Sequence, residues 1–168
     1  GEAALAGPDL VRVMALDGTW RDVHADRIIL APGSVPAPLP SLPFDGDAVL
    51  SSREALDLSE VPESLLIVGA GVIGCEFAFI FSALGSRVIL TEALPGLLAL
   101  PTIEPDCAKV LQREIKKRKI QLMLNRTVLS MDCREGRCMV RIGPAEAPVK
   151  GRPDGGGAAT VPVEKVLV

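Results

Sequence analysis

Tyrosine is absent from this 168-residue chain, aromatics make up only 3% of it, and it has one histidine, His24. So little aromatic surface leaves the core to Val, Ile, Leu and Ala, which suits strands buried on both faces and points to an α/β class. His24 lacks the surrounding residues of a catalytic arrangement and reads as a strand residue that packs or lies exposed, while Trp20 reads as a packing residue. The four cysteines, Cys75, Cys107, Cys133 and Cys138, are too few and too scattered for a disulfide scaffold and lack paired zinc-ligand spacing. No metal site is expected, and the cysteine usage fits a reducing compartment. The formal charge of −3 offers no basic excess for a polynucleotide, and the run Lys116-Lys117-Arg118-Lys119 falls at an expected helix end. No apolar run approaches the roughly 20 residues of a membrane span, and no secretory pattern opens the chain. The expectation is a cytoplasmic protein with neither nucleic acid nor membrane as partner.

What is present is a hydrophobic content of 48%, enough for one core and fragments of a second domain. The chain starts at Gly1 without Met and stops on Val166-Leu167-Val168, which suggests a piece of a longer protein. Residues 10–25 read as a hairpin turning at Asp17-Gly18, and Arg27 to Ala31 as a short strand. The prolines of 32–46 forbid helix and mark a connector. Ser51 to Leu58 fits a short helix capped by Ser51 or Ser52. Leu65 to Val68 is a strand, Gly69-Ala70-Gly71-Val72-Ile73-Gly74 a glycine turn, and 72–84 an all-round apolar helix that should be buried, capped by Gly85. Arg87 to Thr91 is a strand ending on Glu92, followed by a loop over 93–103. Pro105 opens a helix whose acidic start and basic end match its dipole, with Cys107, Val110, Leu111 and Ile115 as its inward face. Ile120 to Leu124 is a third parallel strand, and 128–142 a hairpin turning at Glu135-Gly136. Composition makes 143–160 a loop, before a strand over 161–168. These elements predict a Rossmann-like parallel sheet with flanking helices and a small antiparallel β-meander.

A bare Gly-x-Gly-x-x-Gly pattern is weak, but this one lies between an apolar strand and an apolar helix. An acid closes the next strand 23 residues after the first glycine, near the expected spacing of about 20. Gly69 permits the tight turn, Gly71 lets backbone approach a pyrophosphate, and Gly74 lets helix and strand pack closely. The helix N-terminus then offers amide donors and a positive dipole end. Glu92 would accept from the adenosine ribose hydroxyls and repel a 2′-phosphate, and no Lys or Arg occurs between Arg87 and Lys109, which favours NAD over NADP. Glu76, the single charge in its helix, has two readings: an acid favoured by the helix dipole, or a carboxylate aimed at the nicotinamide or a partner cation. Cys75 reads as a small buried hydrophobe.

The run Gly69-Ala70-Gly71-Val72-Ile73-Gly74-Cys75-Glu76, with Ala83-Leu84-Gly85-Ser86-Arg87-Val88 and Glu92, resembles the NAD domain of the flavoprotein disulfide reductases, most closely their dihydrolipoamide dehydrogenase branch. Ile29-Leu30-Ala31-Pro32-Gly33-Ser34 is similar to the family's crossing from the FAD domain, and Ser51-Ser52-Arg53-Glu54-Ala55-Leu56 with Pro62 to its approach to the glycine turn. Asn125-Arg126-Thr127-Val128 resembles the segment whose Val touches adenine, and 163–168 the strand leading back. The resemblance implies that Glu76 sits beside the nicotinamide and pairs with a flavin-side Lys outside this chain. It also implies that Gly33 and Ser34 face FAD, with Pro32 standing where the family usually has Thr.

On this reading 1–36 are the edge of an FAD-binding domain and connector, 37–160 the NAD-binding domain, and 161–168 a strand returning to the FAD domain. The NAD contacts would be Gly69 to Gly74, Glu76, Glu92, Ala93 and Val128. The implied enzyme passes hydride between nicotinamide and flavin, coupled through an active disulfide to dithiol/disulfide exchange. The fragment itself would be inactive and hold no catalytic residue, with Glu76 supporting. Partners implied are the missing FAD-binding and dimerisation domains, a homodimeric mate and a 2-oxo acid dehydrogenase complex. The alternatives are another member (NADH oxidase, mercuric or coenzyme A disulfide reductase) or a non-catalytic NAD-sensing module. Cys133 and Cys138 imitate the family's redox Cys-x4-Cys spacing, but on a hairpin where catalytic use is not expected. A tight turn would place them opposite each other, within reach of a cross-strand disulfide.

Overall fold

The structure is a computed structural model and describes residues 1–99, 103–145 and 157–168. The chain divides into two units, Gly1–Val35 and Pro36–Val168. The first is a three-stranded antiparallel sheet of β1 (Glu2–Gly7), β2 (Leu10–Met14) and β3 (Trp20–His24). The expected hairpin is β2–β3, turning through Gly18 at φ +82°, and Arg12 on β2 forms a two-pronged ion pair with Asp22 opposite on β3. β1, absent from the sequence reading, is added on the other edge of β2. The strand expected over 27–31 does not form: among the described residues no ladder partner reaches it, and Ile29 and Leu30 stand exposed.

The second unit is built on a five-stranded parallel sheet in the order β4 (Val49–Leu50), β11 (Lys165–Leu167), β5 (Ser64–Val68), β6 (Arg87–Glu92), β7 (Gln121–Leu124). Alternation along the strands splits the core in two, as a sheet with both faces covered requires. Leu65, Ile67, Val88 and Leu90 face one side and join a cluster with helices α1 (Ser52–Leu56), α2 (Val72–Ala83) and α3 (Pro105–Lys117). Leu66, Ile89 and Val166 face the other, where β8 (Arg126–Arg134), β9 (Arg137–Pro144) and β10 (Ala159–Val163) form an antiparallel meander. The α/β class with parallel sheet, helices and meander is thus present, with α1, α2 and α3 in one cluster and the meander in the other. The segment 161–168, read as a strand leading out, supplies the end of β10 and then β11, between β4 and β5. The expected 143–160 loop begins after Pro144, and its residues 146–156 lie outside the described residues.

Local chemistry sets the helix ends. Ser51 caps α1 in a reciprocal box with Glu54, whose carboxyl those hydrogen bonds hold below its usual range. Helix α2 ends on Gly85 at φ +102°, where Gly85 N–H donates to Ser82 and Ser86 N–H to Phe81, the Schellman arrangement. Helix α3 ends the same way, but its left-handed position is Lys119 at φ 58°, with Lys119 N–H donating to Lys116 and Ile120 N–H to Ile115.

Two helix faces differ from expectation. Helix α2 buries Cys75, Phe77, Ala78 and Phe81 but leaves Val72, Ile73 and Ile80 about half exposed, because only one side meets the sheet. On α3, Cys107 and Val110 are exposed, and the inward face is Ala108, Leu111 and Ile115, the spacing that a 3.6-residue period aligns.

Candidate functional site

The carboxyl ends of β5 and β6 and the amino end of α2 meet at the glycine turn, and its glycines are required for different reasons. Gly69 holds φ +105°, which L side chains rarely adopt, and donates its N–H to the Thr91 carbonyl at 2.8 Å, tying β5 to β6. At Gly74 a Cβ would stand 1.9 Å from the Gly69 carbonyl oxygen, so helix and strand can approach this closely only without a side chain. Gly71, the N-cap of α2, has ordinary φ −72°, and a Cβ there would meet nothing within 4 Å. Folding therefore does not demand glycine at Gly71. A group lying on the turn would.

Among the described residues no side chain caps α2, so the amides of its first turn point outward at the positive end of the dipole. Such an end, fronted by open space, suits an anion.

Glu92 ends β6 beside the turn. Its Oε2 accepts from Ala70 N–H at 2.7 Å and its Oε1 from Leu94 N–H at 2.8 Å. An ionised carboxylate has about four acceptor positions, so roughly two remain for a ligand. The loop after it closes on the same turn: Leu98 N–H donates to the Ala70 carbonyl at 2.9 Å, and Asn125 N–H to the Leu94 carbonyl at 3.2 Å. This bracing was not anticipated, since nothing in residue spacing marks a backbone-to-backbone contact. Pro95-Gly96 marks the loop but not its docking. Below the turn the Cys75 thiol donates to the Ala70 carbonyl at 3.5 Å, and burial, then Glu92 and Glu76, push that thiol up to about 11.

Of the sequence-derived site residues, Gly69 to Gly74, Glu92 and exposed Ala93 come together here. Glu76 lies one turn into α2, exposed, with Val72 and Ile80 four residues to either side, so a single carboxylate stands within an apolar face. Val128 is 5% exposed and packs in the meander-side core, where the structure gives it a packing role. Gly33, at φ +85°, and Ser34 are exposed in the first unit. Cys133 and Cys138 face each other across β8 and β9 and are joined in a disulfide. Among the described residues no cluster of metal-ligating side chains occurs, and no helix is long and apolar enough to cross a membrane.

A sequence profile described as pyridine nucleotide-disulphide oxidoreductase matches residues 4–145. The dihydrolipoyl dehydrogenase of Chlorobaculum parvum is 42% identical over 117 residues, which is 70% of this chain and 24% of that protein. Dihydrolipoyl dehydrogenase 3 of Pseudomonas aeruginosa is 33% identical across the whole chain and 34% of its own length. The crystal structure of LpdA from Mycobacterium tuberculosis superposes with TM-score 0.75 at 27% identity, covering 99% of this chain and 34% of that one. The chain thus spans about a quarter to a third of the relatives it matches.

Proposed function

The chain belongs to the pyridine nucleotide-disulphide oxidoreductase family, and from that premise we propose that its second unit is the NAD-binding part of a dihydrolipoamide dehydrogenase-like flavoenzyme. The open space over Gly71, beside a Gly74 that the fold itself requires, carries this reading. It gives a backbone surface on which a pyrophosphate rests without meeting a side chain.

The amides that open α2 bind the pyrophosphate, and the helix dipole favours its charge. Ala70 contributes indirectly, because its N–H is committed to Glu92. Glu92, fixed in orientation by two backbone donors, accepts from the adenosine ribose hydroxyls and repels a 2′-phosphate, which selects NAD over NADP. When bound, NAD would supply a hydride acceptor or donor for exchange with an FAD held by the rest of the protein. Glu76, on the exposed apolar face of α2, borders the nicotinamide and orients it, and Gly33 and Ser34 belong to the FAD side. The coupled reaction is dithiol/disulfide exchange in the manner of lipoamide, in a cytoplasmic homodimer that serves a 2-oxo acid dehydrogenase complex.

Calorimetric titration of the purified protein with NADH and with NADPH, and of Glu92→Ala with NADH, tests the reading. NADH is expected to bind about tenfold or more tighter than NADPH, and the variant to lose about tenfold in NADH affinity. Equal affinity for the two, or no effect of the variant, would remove Glu92 from the site.

A further inference from the structure

A groove between α3 and β7 involves none of the residues proposed to hold the dinucleotide. β7 is the last strand of the parallel sheet and pairs with β6 alone among the described residues, which leaves one backbone edge without a neighbour. Beside it runs a cleft of about 820 Å³. Its floor is apolar. Leu122 and Leu124, two apart on β7 and partly buried, pack with Ile120 against the helix-side core. Its rim is cationic, with Arg113 and Lys116 on α3 and Lys119 at the end of the helix, all exposed.

Two further observations mark these charges. The carboxylates of α3 are engaged elsewhere, Asp106 with Lys109 and Glu114 with Lys117 and Arg118, so among the described residues the three rim cations have no acidic partner. Lys119 stands at φ 58°, a left-handed position that favours glycine, so the helix end carries a cation at a conformational cost. The chain as a whole carries −3, yet six of its 18 Lys and Arg residues fall within 109–119.

We propose that this groove docks an extended acidic segment of a partner protein, added as a further strand along β7. Such a strand satisfies the free backbone edge, sets apolar side chains on Leu122 and Leu124, and brings carboxylates under Arg113, Lys116 and Lys119. Charge complementarity selects an acidic partner, and the free edge selects an extended one.

The test is the fluorescence anisotropy of a labelled eight-residue peptide of alternating Glu-Glu and Val-Val pairs, so that each face of the strand carries both kinds. The peptide binds, and its affinity falls as salt rises. The double variant Arg113→Gln and Lys116→Gln weakens it by about tenfold or more, with NADH binding and thermal unfolding unchanged as the fold control. Proline at the two central positions weakens it by a similar factor of about ten, because the ladder loses its donors. Failure to bind, or binding indifferent to either change, overturns the proposal. Cosedimentation with phosphatidylglycerol vesicles that needs the same cations, without peptide binding, also overturns it and assigns the groove to a lipid surface.

Discussion

Two turns in the second unit place glycine beside an acid, and they close in opposite ways. At the tip of the β8–β9 hairpin, Glu135 at φ 50° and Gly136 at φ 74° form a two-residue connection, and Arg134 and Arg137 pair directly behind it. Its conformation is set by its own residues, and the neighbouring cysteines are joined to each other. At the β5–α2 turn, Gly69 and Gly74 are fixed by the fold, but Gly71 is not, and the amides beyond it have no side-chain cap. A turn that folding alone explains uses all its special residues. One with a surplus glycine and outward donors is shaped for something outside the chain.

The sharpest break in that comparison is Gly74→Ala. With a Cβ forced to 1.9 Å from the Gly69 oxygen, α2 must shift against β5, and urea denaturation should show a loss of about 3 kcal/mol or more. An undiminished midpoint would mean that the turn is looser than described.

Next in size is a pH effect beneath the same turn. The Cys75 thiol is raised from 9.0 to about 11, so above pH 9 the unfolded chain gives up this proton while the folded chain keeps it. The associated stability is complete below pH 9 and is lost between pH 9 and 11, with a slope of at most about 1.4 kcal/mol per pH unit. Cys75→Ala should flatten that part of the stability curve relative to the parent, and an unchanged slope would place the titration elsewhere.

The smallest effect belongs to the hairpin. Gly136→Ala puts a Cβ on a left-handed position with open space around it, costing about 1 kcal/mol in thermal unfolding and leaving NADH affinity unaltered. A change in NADH affinity there would erase the contrast between the two turns.

The glycine turn, Glu92, the capped helix at Ser51 and the Glu135-Gly136 hairpin were legible in the sequence because each is set by a residue's own backbone or capping chemistry within a few positions. Where neighbours decide, the sequence was less informative. Hydrophobicity all round α2 could not say that only one side meets the sheet, since Val72 and Phe77 are both apolar yet only Phe77 finds a neighbouring layer. On α3 the apolar Cys107 and Val110 lie one residue off the stripe that Ala108, Leu111 and Ile115 actually bury. The strand expected over 27–31 has suitable residues but no ladder partner. The bracing of Ala70 by Leu98 runs through backbone groups that carry no residue signature.

The most direct test of the account compares Gly71→Ala with its parent in two assays, chemical unfolding and NADH titration. Stability should stay within about 0.5 kcal/mol, because the added methyl meets nothing in the chain, while NADH affinity falls by about tenfold or more. Unchanged affinity in a stable variant would mean that no dinucleotide lies on this turn.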